Sequence, residues 1–291
     1  MHNFLKAIGF SNIDNQKDLD EILLKVMADH DKKMVVEMKN GHYYGELSRD
    51  FANDCGITVC GEYDENDVFH MEYYFPYFRG SEISTTEPVS MTRHAQRESY
   101  AGSCDDVRLG ITLIFYLLNT ADYLSEKEKG FLPVETAPVS LSGLSSEGTI
   151  LLPINKNMKQ REESRKSMVR RNQLIDAARK GDTDAQESLT YEDIDTYTMI
   201  TQRLINEDVF SIVDTYFMPY GVECDQYSIM GEIIDFIEVS NSLSGEKMYQ
   251  LCLACNDINL DVCINQKDLL GEPEIGRRFK GLVWLQGHLD F

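Results

Sequence analysis

The stretch MVVEMKNGHYYGEL, residues 34–47, decides the fold class. Two short runs rich in apolar and aromatic residues, 34–38 and 43–47, flank the pair Asn40-Gly41. Both residues of this pair accept the positive φ angles of a tight hairpin turn. The stretch therefore predicts a β-hairpin.

A second pair of runs repeats this arrangement immediately downstream. Residues 56–63 and 68–75 flank a short acidic loop and are followed by Pro76. Because proline cannot donate a ladder hydrogen bond, Pro76 is expected to end the strand or to lie at a sheet edge. The pattern predicts a second antiparallel hairpin.

Two helices are predicted around the hairpins. Apolar residues from Leu19 to Met27 recur at helical spacing, and Asn15 is a suitable N-cap. Ser103 and Asp106 resemble a capping box, so a second helix is expected from there to about Leu124, buried because its middle is apolar on all sides. Antiparallel hairpins with interspersed helices indicate an α+β fold in which helices pack on an antiparallel sheet.

The C-terminal region is expected to form a small β-barrel-like domain of the oligonucleotide-binding or SH3-like kind. Its four predicted strands alternate or run apolar and enclose one short helical turn, and they cover residues 227–239, 247–254, 258–264 and 279–289. A leading helix is predicted from Asn206, with apolar residues from Val209 to Phe217 at helical spacing. The predicted organisation is an α+β domain at 1–155, a charged helical connector at 156–206 and the small β domain at 207–291.

The connector carries the opposite charge to the rest of the chain. Residues 156–180 hold nine Lys/Arg against three Asp/Glu, whereas the whole chain has a net charge of −21. Charge sorted in this way indicates a docking surface for an acidic partner or a seam within the protein. Nucleic acid is an unfavoured but open partner, because the overall acidity repels phosphate. The candidate binding residues are Arg165, Lys166, Arg170, Arg171, Arg277, Arg278 and Lys280.

The composition places limits on the class of protein. The first residues of the chain do not have the pattern of a secretory signal. The longest apolar run, 111–118, is too short to cross a bilayer, so no membrane association is expected. Seven cysteines without a disulfide-like spacing suggest a reducing cytoplasm.

The loop from Arg93 to Asp106 is the densest polar stretch and the place where an enzyme site would be expected. His94 could act as a base and Cys104 as a nucleophile, while Asp105 and Asp106 would stand at the start of the predicted helix, where backbone N–H groups can bind an anion. An ordinary polar loop leading into a capped helix explains the same residues and is the preferred interpretation.

The pair Cys252 and Cys255 has the spacing of a zinc knuckle. However, the surrounding alternation predicts a strand, in which positions three apart point to opposite faces. Buried small cysteines are therefore preferred to a metal site, and neither a metal nor a cofactor is predicted.

Four stretches resemble a bacterial family known only as a domain of unknown function. They are MHNFLKAIGFSNI at 1–13, RESYAGSCDDVRLG at 97–110, SIVDTYFMPYGVECDQYSIMGEI at 211–233 and GEPEIGRRFKGLVWLQG at 271–287. The resemblance spans nearly the whole chain and implies a bacterial cytoplasmic protein. It assigns no catalytic or binding residue.

The function hypothesis that the sequence favours is a non-enzymatic cytoplasmic binding or scaffold protein with a protein partner. An enzyme with its site on the loop at 93–106 is one alternative. Nucleic-acid binding through the connector and the C-terminal β domain is the other.

Overall fold

A computed structural model describes residues 2–13, 15–39, 41–94, 97–106, 108–130, 137–154, 158–205, 208–222, 224–256 and 258–291, with only part of the side chains between 158 and 204. A 3-10 turn at Leu5–Ile8 precedes the first helix. The helices are α1 (Gln16–Ala28), α2 (Thr120–Glu128), α3 (Met158–Arg179), α4 (Thr183–Leu204) and α5 (Val209–Ile212). The strands are β1 (Lys32–Glu37), β2 (Tyr43–Ala52), β3 (Cys55–Tyr63), β4 (Phe69–Phe78), β5 (Val89–Arg93), β6 (Tyr100–Asp106), β7 (Ile111–Leu117), β8 (Val139–Leu151), β9 (Tyr216–Pro219), β10 (Gln226–Ser240), β11 (Lys247–Cys255), β12 (Ile258–Asn265), β13 (Leu269–Leu270) and β14 (Arg278–Leu289).

The first four strands form an antiparallel sheet in the order β1-β2-β3-β4, which confirms both predicted hairpins. Val36 lies opposite Tyr44 in the first hairpin, and Gly41 in its turn has a φ of 79°. Asn40, the other predicted turn residue, lies outside the described residues. Pro76 lies within β4, which is an edge strand of this sheet. An edge strand tolerates a proline because it pairs on one side only and can do without the missing N–H donor.

Helix α1 confirms the first predicted helix. The Asn15 side chain accepts a hydrogen bond from the backbone N–H of Asp18, as an N-cap should. The apolar face of the helix, including Leu19, Leu23 and Val26, is buried against β2 and β3.

The other strands form a ten-stranded sheet, part of which closes on itself. Strands β10, β11 and β12 form an antiparallel meander, β14 pairs with β10, and β8 pairs antiparallel with β14 and parallel with β12. These five strands make a closed barrel. Strand β14 also pairs in parallel with β7, from which β6 and β5 extend the sheet outwards.

The predicted helix from Ser103 to about Leu124 is wrong. This stretch forms β6, a turn at Gly110 with a φ of 68°, β7 and then the short helix α2. The run 111–117 is apolar on all sides because β7 is an interior strand between β6 and β14, not because it is a central helix. Length and β-branched content would have favoured a strand over a helix here.

One smaller prediction also needs correction. Asn206, where a helix to Phe217 was expected to begin, lies outside the described residues; from 208 on, the single turn of α5 and the strand β9, which pairs with β10, stand in place of that helix. Sheet pairing has overridden the helical spacing of the apolar residues.

The buried side chains of both sheets form one contiguous cluster, from Phe4 to Leu289. Strand β8, from the predicted N-terminal domain, is paired with β12 and β14 from the predicted C-terminal domain. The protein is thus an α+β structure in which the barrel is completed by strands from both sides of the helical connector. The division at 155 and 206 stays a prediction.

Candidate functional site

Helices α3 and α4 form an antiparallel hairpin inserted between β8 and β9. Gly181, with a φ of 92°, ends the first helix, as its sequence position indicates. The Asp182 carboxylate then caps the second helix by accepting hydrogen bonds from the backbone N–H groups of Asp184 and Ala185, at 3.0 and 3.1 Å. Because both helices have 22 residues, the hairpin is a long arm on the barrel.

The two helices carry opposite charge. Helix α3 contains seven Lys/Arg and three Asp/Glu, whereas α4 contains five Asp/Glu and one Arg. Arg170 and Arg171 both contact Glu192, at 3.5 and 3.9 Å between nitrogen and oxygen. Exposed pairs of this kind contribute less than about 1 kcal/mol each. They therefore influence which faces of the two helices meet more than they stabilise the hairpin.

A stripe of exposed residues runs along α4 and ends at Ile205, one residue beyond the helix. Tyr191, Ile194 and Ile205 are 67%, 56% and 77% exposed, and Thr198 and Thr201 lie between them, also exposed. The intervals of three and four residues are those of a coiled-coil seam. Apolar side chains exposed in a line on a helix are typical of a protein–protein contact.

Of the basic residues predicted for binding, those of the connector all lie on α3. Lys166 and Arg170 are exposed, Arg171 is half-buried, and the side chain of Arg165 lies outside the described residues. This part of the prediction therefore falls on one helix of the hairpin, next to the stripe on α4.

The other three predicted basic residues do not form a common patch. Arg278 is buried, and its guanidinium donates to the backbone carbonyls of Leu152, Phe210 and Val213 at 2.8 to 3.1 Å. Arg277 pairs with Glu274 at 2.7 Å. Lys280 lies over the Phe210 ring, 4.5 Å from its centroid. All three are engaged within the chain.

The loop candidates for an enzyme site are spread along the β5–β6 hairpin. Cys104 lies opposite Val89, whereas His94 follows Arg93 at the other end of β5. Five residues of strand separate Val89 from His94, about 17 Å at the usual rise, so this hairpin does not bring the predicted base and nucleophile together. His94 is exposed.

The two acids of this loop also occupy different surroundings. Asp105 is exposed and accepts a hydrogen bond from Thr112. Asp106 is fully buried at the end of β6, where Arg108 and Thr85 donate to its carboxylate. Burial acts to raise the pKa of Asp106, but these donors hold it below its usual range. Asp106 is thus a paired structural acid, and it begins no helix.

We expect Cys104 to react slowly with a disulfide reagent near pH 7. The thiol is 2% exposed, and burial together with Asp106 and Asp105 raises its pKa to about 12. Cys224 is the one exposed cysteine among the described residues. Its thiol should therefore account for the fast phase of the reaction with the reagent. Cys224→Ser should therefore remove that phase; its removal by Cys104→Ser instead would restore the nucleophile hypothesis.

Cys252 and Cys255 lie on β11, which confirms the predicted strand. Cys255 is buried and Cys252 is half-buried, as expected for positions on opposite faces. In the described part of the chain, no three His, Cys, Asp or Glu side chains are grouped so that they could hold a metal ion.

A cleft that the sequence did not indicate lies between β4 and β7. It has a volume of about 450 Å³ and is lined by His2, Tyr73, Tyr74, Phe75, His94, Arg97, Ser99 and Tyr116. The only sequence signal is the aromatic run at 73–78, which by itself is typical of core packing. Because the lining residues come together only when the two sheets pack, no local spacing could reveal the cleft.

Fold and surface together define a class: an α+β protein with a closed five-stranded barrel, a helical arm and an aromatic cleft. Its longest described helices are too polar to cross a membrane.

The chain belongs to the family described as "Domain of unknown function, E. rectale Gene description (DUF3881)", named from a bacterium, whose model matches residues 5–287. This confirms the family resemblance. No curated protein and no solved structure matches the chain.

Proposed function

We propose that this chain is a non-enzymatic binding or scaffold protein of the bacterial cytoplasm and that a protein partner docks on the α3–α4 hairpin. The observation that carries the proposal is the stripe of Tyr191, Ile194 and Ile205 on a charged helical arm. A helix with its own apolar face fits such a stripe as a third strand of a coiled coil. The net positive charge of α3 beside it favours acidic side chains on the partner.

The second part of the proposal concerns the kind of barrel. We propose that it is of the oligonucleotide-binding rather than the SH3-like kind. Supporting features are the β10–β12 meander, the helical turn Gln266–Asp268, the closing strand β14 and the parallel pairing of β8 with β12. A parallel pair indicates Greek-key closure. A solved structure whose barrel superposes better on SH3-like barrels would count against this.

The nucleic-acid alternative has less support. Arg277, Arg278 and Lys280 are engaged within the chain, so α3 alone would have to supply the basic surface. Binding of that kind would weaken steeply with salt.

We expect the substitution of Tyr191 and Ile194 by Ser to remove partner binding without changing stability. Both side chains are exposed, so the free energy of unfolding should change by less than about 0.5 kcal/mol. Ala185, on the same helix, is 4% exposed, and Ala185→Asp serves as the contrasting variant that should lower stability. Urea unfolding measures both, and a large loss for the stripe variant would mean that the stripe packs within the chain.

Photo-crosslinking in cells then tests the docking itself. A photoreactive residue at 191 or 194 should give a discrete protein adduct, and the same residue at Tyr43, exposed on β2, should not. Replacement of Arg165, Lys166, Arg170 and Arg171 by Gln should weaken the adduct at 194. The proposal is wrong if the adducts are the same at all positions or do not respond to the Gln set.

A further inference from the structure

The cleft between β4 and β7 has a continuous aromatic wall. Phe75 and Tyr116 meet edge to face with ring centroids 4.9 Å apart, and the Tyr116 ring is 5.1 Å from that of Trp284. The His2 ring lies 4.5 Å from Trp284 on the other side. Phe75 and Trp284 are buried behind this wall, so the partly exposed rings of Tyr116 and His2 are the ones that offer flat surface to a planar ring.

Internal hydrogen bonds fix the position of this wall. The Tyr73 hydroxyl donates to the Glu98 carbonyl at 2.5 Å and contacts the Tyr44 hydroxyl at 2.9 Å. Glu98 is in turn paired with Arg93 at 2.6 Å and accepts from Tyr100 at 2.7 Å. Glu98, the residue after Arg97, is therefore already neutralised by its own partners.

The polar groups that line the cleft are mainly hydrogen-bond donors. The Tyr74 hydroxyl accepts from the backbone N–H of His2 at 3.0 Å, and the Tyr116 hydroxyl accepts from Ser99 at 3.2 Å. No described residue accepts the proton of either tyrosine. Burial raises the pKa of both phenols, so these protons are retained at neutral pH.

A cation stands at the rim of the same cleft. The Arg97 guanidinium lies over the Tyr73 ring, 5.9 Å from its centroid, and the side chain is exposed. His94 lines the same side, and its backbone carbonyl accepts from the N–H of Arg97. An arginine that stacks on an aromatic face keeps its N–H groups free to bind an anionic oxygen.

We propose that this cleft binds a planar aromatic ligand that carries an anionic group, a carboxylate or a phosphate. The ring lies against Tyr116 and His2, the anionic oxygens accept from Arg97, and the tyrosine hydroxyls donate to further acceptors on the ligand. The volume of about 450 Å³ is within the range of small-molecule sites. The cleft is separate from the helical arm, so the proposal does not depend on a protein partner.

The chain carries its own reporter for this test. Trp284 is its single tryptophan, and its ring contacts both His2 and Tyr116 under the cleft. Fluorescence excited at the red edge of tryptophan absorption should therefore change when the cleft is filled. Benzoate and AMP serve as the carboxylate and phosphate probes, with benzyl alcohol, adenosine and inorganic phosphate as their partial analogues.

We expect saturable binding of at least one aromatic anion at millimolar concentration or below, and at least roughly 10-fold weaker binding of its neutral analogue and of phosphate alone. Arg97→Gln should weaken binding roughly 10-fold or more, and Tyr116→Phe several-fold. Arg49→Gln, a matched control at the ion pair with Asp29, should bind like the wild type. Which of benzoate and AMP binds better identifies the anionic group.

Three results would overturn the proposal. The first is no saturable change in fluorescence with either anion up to roughly 10 mM, since only very weak binding has a dissociation constant above that concentration. The second is equal affinity for the aromatic anion and its neutral analogue. The third is unchanged affinity in Arg97→Gln. Urea unfolding of the two cleft variants confirms that each is folded. If a variant is unfolded, its loss of binding is not counted, and Arg97→Lys is compared with the wild type instead. Lysine keeps the positive charge but removes the stacking and the bidentate contacts of arginine.

Discussion

Replacement of Arg278 by Met should lower the free energy of unfolding by about 3 to 5 kcal/mol, because hydrogen bonds from a charged group contribute about 1.5 to 3 kcal/mol each. Its guanidinium donates to the carbonyls of Leu152, Phe210 and Val213, which belong to the segments before and after the helical arm. Met would leave these carbonyls without their donor in a site that is 6% exposed. Urea unfolding at neutral pH measures the effect.

The neighbouring residue provides the control. Arg277→Met removes an exposed ion pair with Glu274, so it should cost less than about 1 kcal/mol. Arg278→Lys should fall between the two, since an ammonium keeps the charge but has fewer donors in a different geometry. Equal effects of the two Met substitutions would show that Arg278 does not hold these segments.

A pH-dependent difference should distinguish the wild type from Glu46→Gln. Burial raises the pKa of Glu46 to about 7, with a smaller contribution from Asp122, although Tyr44, the Ala121 N–H and Lys32 act to lower it. The unfolded chain ionises Glu46 at its ordinary pKa near 4.5. Between these values the folded state holds the extra proton, so the wild type loses about 3 kcal/mol relative to the variant as the pH rises from about 4.5 to 7.

A count of protons supports a neutral Glu46. Its carboxyl contacts the Tyr44 hydroxyl at 3.0 Å, Tyr44 contacts the Tyr73 hydroxyl at 2.9 Å, and Tyr73 contacts the Glu98 carbonyl at 2.5 Å. Three oxygen–oxygen contacts need three protons, but the two tyrosines supply only two. Protonated Glu46 supplies the third, whereas an ionised carboxylate leaves one contact without a proton.

Urea unfolding from pH 4.5 to 8 measures this difference for the wild type, Glu46→Gln and Glu62→Gln. Glu62 lies on the neighbouring strand and is partly exposed beside His42, so Glu62→Gln controls for the loss of an acid that is not buried. Parallel profiles for the wild type and Glu46→Gln would mean that Glu46 ionises at its ordinary pKa in the folded chain.

The parts of this fold that could be predicted are those with local signals. The Asn15 cap, the hairpin turn at Gly41 and the stop at Gly181 are written in single residues with defined backbone preferences. The run 111–117 has no cap or turn residue, and an interior strand and a buried helix are apolar in the same way, so only its length and β-branched content favour the strand. That ambiguity produced the false helix and, with it, the expected anion site at Asp106.

The candidate sites differ in the same way between those with a local sequence signal and those without one. The basic helix was predictable because charge is visible in the sequence, whereas the exposure of Tyr191 and Ile194 depends on what packs against α4. Arg278 was assigned to a surface patch because a buried arginine and an exposed one share the same neighbours in sequence. The cleft and the Glu46 cluster join side chains from different strands and could not be seen without the sheet register.

The position of β8 also affects how the chain is made. During synthesis this strand leaves the ribosome more than a hundred residues before β12 and β14, the strands that cover its two edges. At elongation rates of about 5 to 20 residues per second, both edges of β8 stay unpaired for several seconds or longer. Unpaired edges recruit other chains. A chaperone that shields the edges of β8 until β12 and β14 are made should therefore raise the yield of folded chain.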